Sequence, residues 1–269
     1  MHLFEQLLHN DRFFLMAGPC VVEDKPIMRQ TVEALLQATS QRGITLVFKS
    51  SYRKANRTAL TSFSGPGMDE GLALLADLKR EYNVPIVTDV HETCEVAAAA
   101  EVADILQIPA FLSRQTALIQ EVAASGRIVN IKKGQFMAPE DMRAAVEKAT
   151  GANNFHILLT ERGTCFGYHN LVVDFRSFAI MQSIGYPVVY DVTHSMQRPS
   201  LHNVSGGTPE YAHMMARAAA ATGMLNGLFI ETHPAPQEAL SDAASMVPLA
   251  SIPAILDSCL EVWKKPARR

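Results

Sequence analysis

Short apolar runs rich in β-branched residues alternate along the chain with longer segments of helical periodicity. The runs fall at residues 13–20, 45–51, 85–90, 105–110, 128–133, 155–161, 187–194 and 227–231. Between them, amphipathic patterns at 26–41, 68–82, 92–103, 114–124, 139–150, 173–184, 209–222 and 247–264 predict helices. The runs are almost continuously apolar, as expected of parallel strands covered on both faces. Eight such units in 269 residues give about 34 residues each, an ordinary strand–helix length. The pattern predicts an α/β protein, a single-domain (β/α)8 TIM barrel over residues 13–269 with a short N-terminal extension at 1–12. A doubly wound open sheet is the alternative. Gly18-Pro19-Cys20 offers one glycine after the first run, where the phosphate turn of that fold uses several.

Composition narrows the function classes. Apolar residues make up 48% and charged residues 19%, enough apolar material for a substantial core. The 24 Lys and Arg nearly balance 27 Asp and Glu, which argues against a nucleic-acid partner or a polybasic membrane surface. Four cysteines, Cys20, Cys94, Cys165 and Cys259, are too scattered for a disulfide framework and suggest a reducing compartment. The N-terminus lacks the layout of a signal peptide, and no apolar run approaches ~18 residues. A soluble cytoplasmic protein is expected, with Cys94, Cys165 and Cys259 as ordinary buried or half-buried groups.

Barrel enzymes build their sites at the C-terminal ends of the strands. The eight predicted strands end at Cys20; Lys49; Asp89 and His91; Gln107; Lys132 and Lys133; Glu161 and Arg162; Asp191 and His194; Glu231 and His233. Strands one, seven and eight are neighbours when a barrel closes. They bring together Cys20, His194 and Glu231, with Asp242 in the following loop, a thiolate, imidazole and carboxylate set suited to a divalent transition metal. Strands two, five and six bring Lys49, Lys132 and Arg162, which suits a phosphorylated anionic substrate. The loop Lys54-Ala55-Asn56-Arg57-Thr58 offers a second phosphate site. His91 is expected to face the barrel interior with Asp89 and to support the site, and His233 is a candidate neighbour of the ligand set.

These residues carry a family resemblance. Ala17-Gly18-Pro19-Cys20, Lys54-Ala55-Asn56-Arg57, Gln107-Ile108-Pro109-Ala110-Phe111-Leu112, Arg114-Gln115-Thr116 and Asn130-Ile131-Lys132-Lys133-Gly134-Gln135-Phe136 resemble the 3-deoxy-D-manno-octulosonate 8-phosphate synthases. So do Glu161-Arg162-Gly163, Phe166-Gly167-Tyr168, Asp191-Val192-Thr193-His194-Ser195 and Glu231-Thr232-His233-Pro234. The resemblance implies condensation of phosphoenolpyruvate with D-arabinose 5-phosphate and water, releasing phosphate and supplying the octulosonate sugar of lipopolysaccharide. It implies that Lys132 and Arg162 hold the phosphate of phosphoenolpyruvate, with Lys49, Gln107 and the backbone at Ala110 seating the molecule. Asn56, Arg57 and Thr58 would grip the pentose phosphate, with Arg114 reaching it from a neighbouring subunit of a homotetramer. Lys54 would stand near the aldehyde, as a proton donor or as a charge steering the phosphate.

Two subclasses of that family differ at the residue after Gly-Pro, Cys in the metal-dependent one and Asn in the other. Cys20 and the stretch Ala239-Leu240-Ser241-Asp242 resemble the first, which implies Fe2+, Zn2+ or Mn2+ on Cys20, His194, Glu231 and Asp242. Cys20, His194 and Asp242 then belong to the catalytic set with Lys54, His194 being a ligand first. Arg53 stands where an acid is usual and Ser64 where Arg is common. The nearest alternative is the sister synthase that uses erythrose 4-phosphate, which typically reads Lys-Pro-Arg-Thr in place of Lys54-Ala55-Asn56-Arg57. A metal-dependent hydrolase would usually show a His-x-His pair at strand one, and none occurs here. A non-catalytic barrel would leave the polar strand ends unexplained.

Overall fold

The structure, a computed structural model, describes residues 3–9, 11–55, 63–165, 170–198 and 206–266. Strands β1 (Phe14–Gly18), β2 (Leu46–Lys49), β3 (Ile86–Asp89), β4 (Ile105–Ile108), β5 (Ile128–Lys132), β6 (Ile157–Glu161) and β7 (Val188–Asp191) pair in chain order. The eighth barrel strand, Gly227–His233, pairs in parallel with β7 on one side and with β1 on the other. The sheet therefore closes, and the predicted TIM barrel is the observed fold. Helices α2 (Lys25–Ser40), α3 (Met68–Tyr82), α4 (Val96–Val102), α5 (Thr116–Ala124), α6 (Met142–Thr150) and α7 (Arg176–Gln182) lie between strands, with α9 (Ala212–Ala221) and α10 (Ile252–Val262) completing the ring.

Side chains alternate across each strand, and here the alternation splits the core in two. Leu15, Ala17, Phe48, Ile86, Leu106, Val129, Ile131, Leu159, Val188, Tyr190 and Ile230 belong to the cluster that packs against the helices. Phe14, Met16, Val47, Val87, Ile105, Ile128, Leu158, Val189 and Phe229 form a second cluster, joined by Phe4 and Leu7. Those last two residues sit on α1 (Leu3–His9), a helix that the strand–helix rhythm did not predict. It presses its apolar side on the lower layer of the barrel interior, with Phe4 4.8 Å from the ring of His156. Phe4→Ala is expected to cost about 3 kcal/mol, read as a lower urea midpoint with kcat retained. An unchanged midpoint would show that α1 contributes nothing to closing the barrel.

The predicted strand at 187–194 turns out shorter. After Asp191 the chain enters a one-turn helix, α8 (Val192–Ser195), because the Asp191 carboxylate accepts from the His194 backbone N–H at 2.9 Å and caps the turn. The predicted helix at 247–264 likewise begins as a short parallel pairing of Val247–Pro248 with the eighth strand. A small antiparallel pairing of Gln197–Arg198 with Gly206–Gly207 is a further unpredicted element. Cys94 and Cys165 are exposed, neither buried nor half-buried as expected, because both lie on rim segments outside the packed layers; Cys259 is buried.

Candidate active site and metal centre

Above the apolar layer, the same inward-facing positions become polar. Lys49, Asp89, Gln107, Asn130, Lys132, Thr160, Asp191 and Glu231 are all buried. Alternation explains which strand-end residues arrive. Lys132 faces inward, while its neighbour Lys133 faces the helices and pairs with Glu161 at 3.4 Å. Glu161 also accepts from the backbone N–H groups of Arg162 and Gly163, at 3.0 and 2.7 Å. The expectation that every strand end supplies the rim is thus corrected for Lys133 and Glu161, which knit two loops together behind it.

Close backbone packing brings β1 and β2 together at the rim. A Cβ on Gly18 would lie 2.1 Å from the Lys49 carbonyl oxygen, so a side chain there cannot be accommodated. Two residues on, buried Cys20 has its Sγ 3.1 Å from Asp242 Oδ2 and 3.0 Å from Ser241 Oγ. Asp242 reaches this position with φ of +51°, a conformation unfavourable for a residue with a side chain. Cys20, Glu231 and Asp242 offer ligand atoms that all lie within 4.8 Å of one another. His194 Nε2 is 3.6 Å from Glu231 Oε2 and 3.9 Å from Asp242 Oδ2. The four residues proposed as ligands on topology alone therefore converge.

The chemistry of this set fits a divalent transition metal. Glu231 Oε2 is buried without a hydrogen-bond partner, while Oε1 accepts from Lys49 Nζ at 2.6 Å. His194 Nδ1 lies 2.8 Å from Asp191 Oδ2, which leaves Nε2 on the side of Glu231 and Asp242. Burial pushes the Cys20 thiol well above its usual pKa, and the nearby carboxylates of Asp242 and Glu231 add to this. A metal would reverse that balance by taking the thiolate.

A cationic half faces these ligands. Lys132 Nζ is 2.6 Å from Asp191 Oδ2 and 3.8 Å from the centre of the Phe229 ring. Burial lowers its pKa, and the Asp191 carboxylate resists that shift. Arg162 is buried, donates from Nη2 to Gln197 Oε1 at 2.9 Å, and has no hydrogen-bond partner at Nη1. A buried guanidinium nitrogen without an acceptor is costly, and an anionic oxygen would satisfy it. Lys54 Nζ lies 3.5 Å from Asp89 and 3.8 Å from Glu231. Burial works against its charge, but Cys20, Glu231 and Asp89 outweigh burial and raise its pKa well above the usual value, so it stays an ammonium.

Gln107 is held by a chain of hydrogen bonds. Thr160 Oγ1 donates to Asn130 Oδ1 at 2.7 Å, Asn130 Nδ2 to Gln107 Oε1 at 2.8 Å, and Gln107 Nε2 to Asp89 Oδ1 at 2.5 Å. Lys49, Lys54 and Lys132 overcome the burial of Asp89 and hold its pKa well below the carboxylate range. Asn130 and Thr160 were missed by sequence reasoning, Asp191 was read only as a strand end, and Asp89 was read as inward-facing without a role. Counting by twos from the interior apolar residues of each strand would have found all four.

The remaining candidates divide. Ala110 opens a 3-10 turn after β4 and is buried. As first residue of that turn, its N–H has no acceptor within it. Arg114 is exposed between that turn and α5. Asn56, Arg57 and Thr58 lie outside the described residues. His91, expected to face the interior, turns instead to the outer cluster of Tyr52 and Glu95. Its ring stands edge-on to Tyr52 at 6.2 Å, and its Nδ1 is 3.5 Å from Glu95 Oε2. There Tyr52 donates to Glu95 at 2.7 Å, and Arg53 bridges Glu95 and Glu92. A cation at position 53 is therefore matched by two carboxylates.

A family model described as the DAHP synthetase I family matches residues 8–264. The chain belongs to this family. Curated relatives named 2-dehydro-3-deoxyphosphooctonate aldolase match over most of its length. The protein of Nitratidesulfovibrio vulgaris (strain DP4) is 52% identical over 253 residues, which cover 94% of this chain and 92% of that one. The protein of Acidithiobacillus ferrooxidans (strain ATCC 53993 / BNL-5-31) is 53% identical over 245 residues, 91% of this chain and 87% of its own. That of Polaromonas sp. (strain JS666 / ATCC BAA-500) is 51% identical over 260 residues, 94% and 91% respectively. The closed barrel and its polar interior layer thus occur in a chain of this family.

Proposed function

We propose that the protein condenses phosphoenolpyruvate with D-arabinose 5-phosphate and water to give 3-deoxy-D-manno-octulosonate 8-phosphate and inorganic phosphate, in the supply of the octulosonate sugar of lipopolysaccharide. The observation that carries this is the match, over more than nine-tenths of the chain, to relatives named for the octulosonate phosphate product. The site is of the right kind, with buried cations on one side and a thiol, imidazole and carboxylate cluster on the other. The family description names DAHP synthetase, which keeps the sister synthase that uses erythrose 4-phosphate as the alternative; the relatives are named for the phosphooctonate, which favours arabinose 5-phosphate.

In this reading Lys132 and Arg162 take the phosphate of phosphoenolpyruvate, with Lys49, Gln107 and the backbone at Ala110 seating the rest. Arg162 Nη1, which has no hydrogen-bond partner, and the Lys132 ammonium would donate to phosphate oxygens. C3 of phosphoenolpyruvate forms a bond to the aldehyde carbon of the sugar, and the carbonyl oxygen takes a proton. Water adds at C2, and the resulting hemiketal phosphate loses phosphate by C–O cleavage. In this reading Lys54, an ammonium beside Asp89 and Glu231, protonates the new alkoxide or steers the sugar. Asn56, Arg57 and Thr58 hold the sugar phosphate, with Arg114 contributed by a neighbouring subunit of a homotetramer. Cys20, His194, Glu231 and Asp242 hold a divalent ion, Fe2+, Zn2+ or Mn2+. Such an ion supplies Lewis acidity to an oxygen of the sugar or to water.

Phosphate release is expected from phosphoenolpyruvate with arabinose 5-phosphate, at a rate at least about tenfold above that with erythrose 4-phosphate, by roughly the size of one pocket contact. Equal rates with both sugars would overturn the assignment. Among the described residues no helix is long and apolar enough to cross a membrane.

A further inference from the structure

We propose that Glu23 is a positioning residue that sets the spacing of the metal ligands; this rests on the metal-binding reading of the site. The four ligands sit on four separate segments; the Glu23 carboxylate lies on the segment of Cys20 and contacts the segments that carry Glu231 and Asp242. Glu23 itself follows Cys20 by three residues on the loop leaving β1. Its Oε1 accepts from the Leu240 backbone N–H at 3.2 Å, two residues before Asp242. Its Oε2 lies 3.4 Å from His233 Nε2, two residues beyond Glu231. The Glu23 and His233 side chains are 7% and 1% exposed, so the contact is shielded from solvent. The His233 ring is fixed from its other side, with Nδ1 2.8 Å from the Ala235 carbonyl oxygen.

The segment before Asp242 needs such an anchor. Leu240 is a half-exposed apolar side chain, so apolar packing does little to hold the loop there. Asp242 is in the left-handed region, which costs about 1 kcal/mol or more for a residue with a side chain. The loop after it is held by Ser245 and Met246, whose backbone N–H groups donate to the Asp242 carbonyl at 3.0 and 3.1 Å. On the other side Ser241 Oγ meets Cys20 Sγ at 3.0 Å, and Glu23 adds a second hold that ties the segment to the strand carrying Glu231.

The test uses full-length, metal-free protein and Zn2+ alone, titrated in competition with a chromophoric chelator. Glu23→Ala is expected to weaken Zn2+ binding by about 10- to 100-fold, the usual effect of losing an outer partner of a metal site. Glu23→Gln keeps an acceptor for Leu240 but loses the charge facing His233, and should fall between. Asp257→Ala removes a surface ion pair with Arg42 and should leave Zn2+ affinity unchanged; Cys20→Ser should lose it. Wild-type affinity in Glu23→Ala, with binding lost in Cys20→Ser, overturns the role of Glu23 and leaves the metal reading intact. Equal binding by wild type and Cys20→Ser overturns the metal reading and the inference with it. A readout without metal is amide exchange of the segment containing Leu240, which should accelerate in Glu23→Ala and not in Asp257→Ala. Unchanged exchange there also overturns the proposal.

Discussion

Lys132→Gln is expected to lower kcat/KM for phosphoenolpyruvate by about 10³-fold, which corresponds to about 4 kcal/mol. Two effects act together. The substrate phosphate loses a charge-assisted donor in a buried site, and Asp191 loses the ammonium that sits 2.6 Å from its Oδ2. Asp191 also orients His194, so its imbalance spreads to the ligand side. The double variant Lys132→Gln with Asp191→Asn separates the two: it removes both charges, so it should recover stability in urea without recovering activity. A kcat/KM within threefold of wild type for Lys132→Gln would show that the phosphate lies elsewhere.

The sequence made the strand–helix rhythm legible because both faces of each strand are buried, and burial writes itself as continuous apolar runs. Those same runs concealed the inside from the outside. Lys132 and Lys133 look equivalent in the sequence, yet the pleat sends one to the site and the other to Glu161. The convergence of Cys20, His194 and Glu231 followed from closing the barrel, since strands one, seven and eight must then be neighbours. What was not legible depends on contacts between distant segments. Asn130 and Thr160 matter as links that fix the Gln107 amide, which only the register of β4, β5 and β6 reveals. Helix α1 escaped notice because its seven residues carry little periodicity, and its role depends on Phe4 and Leu7 meeting the barrel floor. Arg53 read as a departure from the family pattern, and its two carboxylate partners lie about forty residues along the chain.

Removing divalent metal is expected to lower the rate of phosphate release at least about 100-fold, with Mn2+ or Zn2+ restoring it. The argument is one of charge as well as ligation. Lys49, Lys54, Lys132 and Arg162 face Asp89, Asp191, Glu231 and Asp242, so the described rim is balanced before any substrate enters. Two phosphorylated substrates bring several negative charges into a buried space, where unpaired charge is expensive. A divalent ion held by Cys20, His194, Glu231 and Asp242 would tip the balance toward the anions. Burial opposes the charged carboxylate of Glu231, yet Lys49, His194 and Lys54 already hold its pKa well below the usual range, so that ligand is ready in its anionic form. Cys20→Asn should abolish metal binding and leave a reduced activity that no longer responds to chelator. Metal content by elemental analysis, measured beside the rate, checks both arms. Wild-type protein that works at full rate when stripped of metal would overturn the assignment of the four ligands, while leaving the condensation itself to the two-sugar assay.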